Sequence, residues 1–214
     1  QLEWQDAATS LLARWGSEPA RALALLEVLA ALVEEREHRL LPPPPGDGCM
    51  FDSAPAVAAW LAHFAPGSGS AELQCAALRC TRCWMAWAPP PADWARAAVA
   101  CLGAGEDVAE EAADALVQAA HMGDDWPDSH GHLPEAVCVA VAPLVGTASA
   151  SACRALRVAA EAAEAMLQAI VAALEGGHPD AQRLVDALAS SAADHLCSAA
   201  HFFNSLAGAP WSGA

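Results

Sequence analysis

Apolar residues recur at helical spacing along nearly the whole chain. Leu2–Trp15 places Trp4, Ala8, Leu11, Leu12 and Trp15 on one face of a helix. Gly16 and Ser17 break that pattern, and Pro19 suits the first turn of the next helix, Arg21–Arg36, which carries leucine at 23, 25, 26, 29 and 32. A cap at Asp52 or Ser53, with Pro55 near the start, predicts a helix through Val57, Trp60, Leu61 and Phe64. The most informative stretch is Glu72–Trp87, ELQCAALRCTRCWMAW. It has Ser70 at the N-cap position and the proline run Pro89–Pro91 to stop it. Trp94–Leu102 and Asp107–Met122 follow on either side of Gly103-Ala104-Gly105. Leu133–Val145, Ser151–Leu174, Pro179 to about Leu188, and Asp194–Leu206 complete the set.

Two stretches interrupt the periodicity. Residues 42–50 form a Pro/Gly-rich connection, and 123–132, GDDWPDSHGH, read as a polar loop. The helices of the whole chain pair into about five hairpins, at a spacing close to the ~40 residues of HEAT units. Ala-Ala pairs at 76–77, 112–113 and 199–200 fall in the second helix of a pair and permit close helix approach. The expected fold is all-α: a right-handed α-solenoid of antiparallel helix hairpins, HEAT/ARM-like, forming one segment over 1–214.

Composition agrees with that class. Of 214 residues, 55% are hydrophobic and 17% charged, alanine dominates, and all ten basic residues are arginine. A net charge of −16 argues against direct binding to nucleic acid or an anionic membrane, and it suits basic protein partners or simply a solvated surface. No apolar run is long enough to span a bilayer; Val137–Val145 ends at Pro143 and Gly146. The chain begins at Gln1, already inside a helical pattern, and is expected to be a fragment of something longer.

Candidate chemistry is sparse. Cys80 and Cys83 form a C-x-x-C pair with Cys75 nearby, and Asp124, Asp125, Asp128, His130 and His132 are metal-capable in type. The pair lies mid-helix without a second C-x-x-C, and the loop lacks EF-hand spacing, so packing and a solvated turn account for them better. Cys75, Cys80, Cys83, Cys101, Cys138, Cys153 and Cys197 are placed on apolar helix faces, which suits a reducing compartment. His121, His195 and His201 are read as partly buried or capping. Trp60, Trp84, Trp87 and Trp94 could form an exposed aromatic surface, but their apolar area is better spent in an alanine-rich core. The acidic runs 34–37 and 106–111 could face a basic partner, with solvated helix ends the simpler account. No catalytic, cofactor-binding or metal residues are assigned, and no enzyme is expected.

From Leu2–Trp15 through ALALLEVLAALVEERE, ALRCTRCWMAW and ACLGAGEDVAEEAADALVQAAH to GHPDAQRLVDAL and HLCSAAHFFNSL, the stretches resemble, in order, the importin-β (karyopherin-β) nuclear transport receptors. The transportin-SR branch, in its exportin-1/importin-β-like region, is the nearest in pattern. Val33, Pro42–Pro45, Ala86 and Ala88 depart from it. The resemblance implies a HEAT-repeat receptor that moves between nucleus and cytoplasm. It would carry protein cargo, arginine/serine-rich splicing factors in this branch, through the nuclear pore under Ran-GTP control. Contacts with Ran and pore proteins would belong to the full-length receptor, and no site residues transfer to this segment.

Overall fold

Helix starts and stops follow local chemistry. The computed structural model describes residues 7–37, 48–125 (except 65, 68, 88, 89 and 92), 150–175 and the single positions 137, 140, 141, 144, 182 and 186. Among the described residues all regular structure is helical. Helix α1 spans Ala7–Trp15, a 3-10 turn Pro19–Arg21, and α2 Ala22–Glu37. They are followed by α3, Gly48–Leu61; α4, Ala71–Trp84; α5, Trp94–Cys101; α6, Glu106–Asp125; and α7, Ala150–Glu175. Helix α1 stops at Gly16, whose amide still reaches the Leu12 carbonyl at 2.7 Å. A Cβ at Gly16 would lie 2.5 Å from that carbonyl oxygen, so only glycine allows the turn to close so tightly there. Ser70 caps α4 by accepting the Leu73 amide at 3.2 Å.

Neighbouring helices in the fold are not always neighbours in sequence. Helix α2 packs on α4, α4 on α6, and α6 on α7, while α1 packs on α3 and α5 on α6. Cross-helix bonds give the directions. Thr9 Oγ1 donates to Ser53 Oγ and Trp60 Nε1 donates to the Gly16 carbonyl, both at a sequence separation of 44. A constant separation means that α1 and α3 run the same way. Between α6 and α7 the separations are 44, 43 and 40, so these two helices are also parallel.

Two apolar clusters share α4 as their common wall. One holds Leu25, Leu26, Leu29 and Val33 of α2 with Val57 and Leu61 of α3 and Ala76, Ala77, Cys80 and Trp84 of α4. The other holds Leu78 with Trp94, Val99 and Leu102, the alanine-rich face of α6, Val137, Val141 and the inner face of α7. Burying a large side chain is worth about 1.5–3 kcal/mol, and a methyl group far less. The fully buried Trp84, Leu26, Leu29, Leu78, Leu102 and Leu116 therefore each contribute more than any one buried alanine. Ala109, Ala112, Ala113, Ala155 and Ala162, all fully buried, mainly set how closely helices approach.

Several boundaries differ from those the sequence predicts. Helix α3 begins at Gly48, not at Asp52 or Ser53, and so takes in the end of the 42–50 connection; Pro55 lies inside it. Pro55 is exposed, and its missing N–H interrupts the helix's own bonding there. Ser53 is buried and bonded to Thr9, and is no cap. Helix α4 ends at Trp84; the chain to Trp87 tightens into i→i+3 bonds before the prolines. Helix α6 runs on to Asp125, into the predicted loop 123–132, whose remainder lies outside the described residues, as do the helices placed at Pro179–Leu188 and Asp194–Leu206 except positions 182 and 186.

Candidate functional site

The helices α2, α4, α6 and α7 each leave one polar stripe uncovered, and these stripes lie side by side. On α4 the stripe is narrow because both flanks are packed, which leaves Arg79 and Arg82 to reach sideways. Arg79 makes a fork to Glu34 of α2, donating at 2.8, 2.9 and 3.1 Å, with Glu27 at 3.7 Å. Arg82 reaches the other way to Asp114 of α6 at 3.2 Å. Arg154 and Arg157 of α7 return the same pattern, with Arg154 on Glu110 at 2.5 Å and Arg157 on Asp114 at 2.7 Å. His121 Nε2 lies 3.0 Å from Glu161 Oε2 further along α6 and α7.

Charge therefore alternates across the face: acid on α2, base on α4, acid on α6, base on α7. Asp114 is shared by Arg82 and Arg157, so one carboxylate ties three helices together. The hydrogen bond from Arg154 holds the Glu110 carboxyl below its ordinary value. Glu111 Oε2, 3.8 Å from Arg82, is buried without a hydrogen-bond partner among the described residues. From the sequence the acidic runs 34–37 and 106–111 are expected in solvent or against a partner; Glu34 and Glu110 remain partly exposed and, with Glu111, also meet arginines of this same chain. A repeated R-x-x-R at 79–82 and 154–157 is the signal that marks the other half of the pairing.

The C-x-x-C pair divides. Cys80 is fully buried in the α2–α4 core, and burial pushes its thiol far up, so it stays protonated at neutral pH. Cys83 sits at the edge of that core with its Sγ 3.9 Å from Glu34 Oε1. Burial, then Glu111 and Asp107, also raise the Cys75 thiol. Cys75, Cys80, Cys83, Cys101 and Cys153 are in no disulfide; Cys153 is exposed, which corrects its placement on an apolar face, and Cys138 and Cys197 lie outside the described residues. Among the described residues no three His, Cys, Asp or Glu side chains gather closely enough to hold a metal ion. Asp128, His130 and His132, and the side chains of Asp124 and Asp125, lie outside the described residues, as do His195 and His201.

The four tryptophans do not make one surface. Trp84 and Trp94 are buried in different clusters, while Trp60 and Trp87 are half-buried at the edge of the α2–α4 cluster. A cavity between α4 and α5, lined by Leu73, Gln74, Thr81 and Trp94 among others, has a volume of about 10 Å³, enough for one water molecule. No described helix is long and apolar enough to cross a membrane.

Fold and face together define an all-α protein built around a layer of helices with an ion-paired outer surface. No family model, curated protein or solved structure matches the chain.

Proposed function

We propose that this chain is an α-solenoid segment that binds other proteins through the polar face of α2, α4, α6 and α7, without catalysis. The observation that carries this reading is the like-directed stacking of α1 on α3 and α6 on α7 at sequence separations of 40–44. A repeating pair of helices that touches only its neighbours builds an open, extended face rather than an enclosed pocket. A net charge of −16 favours basic protein surfaces as partners. Small-angle scattering tests the architecture. A compact domain of 214 residues has a radius of gyration of about 17 Å, whereas a solenoid exceeds it.

Within that reading, the chain is a segment of a nuclear import receptor of the importin-β type, present in nucleus and cytoplasm. Its support is the ordered resemblance of ALALLEVLAALVEERE, ALRCTRCWMAW and the stretches after them. Cargo, Ran-GTP and pore proteins would be partners of the full-length receptor. A pull-down of that receptor with Ran loaded with GTP or GDP checks it. GTP-dependent binding that releases cargo is the expected result; indifference to the nucleotide leaves a HEAT-type scaffold unrelated to transport.

A further inference from the structure

The ion pairs of the polar face all run between helices and not along one helix, and they are confined to one side of the α2–α4–α6–α7 layer. Behind them α6 buries Ala112, Ala113, Ala115, Ala119 and Ala120 together with Val108, Leu116 and Met122, against Ala155, Val158, Ala159 and Ala162 of α7. On the polar side Asp114 joins α4, α6 and α7, accepting from Arg82 on one flank and Arg157 on the other. Glu110 adds Arg154, and Arg157 at 3.7 Å.

We infer that the Asp114–Glu110 clamp on Arg82, Arg154 and Arg157 is a salt-sensitive brace that sets the curvature of this segment. The inference rests on the solenoid reading above. Side chains in the clamp are partly open to water, so salt reaches them; the Debye length falls from about 10 Å at 0.1 M to about 3 Å at 1 M. Screening releases the polar side while the apolar side stays packed, and each interface shifts by the ~1–2 Å typical of packed helices.

Small-angle scattering of the 214-residue chain between 20 mM and 1 M NaCl tests this, for wild type, Asp114→Asn with Glu110→Gln, and Arg82→Gln with Arg157→Gln. Circular dichroism at each salt concentration keeps loss of helix apart from a change of shape. The wild-type radius of gyration is expected to change progressively as salt rises, by more than the error of the measurement. Both variants, made from opposite sides of the clamp, should hold the high-salt value throughout. An extended particle whose salt response is absent, or is unchanged in the variants, overturns the brace and leaves the solenoid standing. A radius near 17 Å at every salt concentration overturns the solenoid, and the brace with it.

Discussion

The indole nitrogen of Trp84 donates to the backbone carbonyl of Leu29 at 3.0 Å, in a part of the core where both side chains are fully buried. One hydrogen bond thus fixes how far α4 slides along α2, because a buried indole N–H left without a partner is costly. The T-shaped stack of Trp84 on Trp87, with centroids 6.1 Å apart, extends the same anchor into the turn after α4.

Trp84→Ala should therefore cost about 3–5 kcal/mol, and Trp84→Phe about 1–3, since phenylalanine keeps much of the packing but loses the bond. Urea denaturation followed by circular dichroism checks both. A Trp84→Phe variant as stable as the wild type would remove the hydrogen bond from the account.

Ser70 satisfies the Leu73 amide at the start of α4. Ser70→Ala should lose about 0.5–2 kcal/mol, and Ser70→Gly only a few tenths, measured in the same way. A neutral alanine variant would show that water caps this end equally well.

Arg79 and Glu34 join α4 to α2 through a fork, but Arg79 is 38% exposed and Glu34 34%. Solvent screening limits their coupling to about 0.5–1 kcal/mol in a double-mutant cycle with Arg79→Met and Glu34→Gln. The coupling should fall further in 1 M NaCl.

The Glu110 carboxyl is held below its ordinary value by the hydrogen bond from Arg154. A carboxyl depressed in the folded state contributes stability above its unfolded pKa and loses it as pH falls through the folded value. Acidification below about pH 4.5 should thus destabilise the wild type more than Glu110→Gln, which has no carboxyl to protonate. Thermal melts from pH 7 to pH 3 give the comparison; parallel curves would count against this pair.

Thiol labelling should separate the cysteines by place in the fold. Cys153 is exposed and Cys80 fully buried with a raised pKa, so iodoacetamide at neutral pH should modify Cys153 first and Cys80 only after unfolding. Peptide mass spectrometry reads the order, and early modification of Cys80 would mean that the α2–α4 core opens readily.

Helix type and most helix positions were legible in the residues themselves. Leu25, Leu26 and Leu29 mark the buried side of α2, Ser70 starts α4 and Gly16 ends α1 through effects that reach only a turn or so along the chain. The start of α3 was not legible. Ser53 has the chemistry of a cap, and only its burial against Thr9 shows that it is not one. Likewise Trp84 and Trp94 lie ten residues apart and read alike, yet they fill different cores because α4 is packed on both flanks.

What the sequence determined alone is the helical character of the described residues and the amphipathic stripe on their helices, because both arise from local periodicity. What only the tertiary structure decided is which stripes lie together. Arg82 meets Asp114 across 32 residues, and Arg157 meets the same carboxylate across 43. Those registers are set by connection length and by how closely alanine lets two helices approach, and neither leaves a periodic signal in the chain.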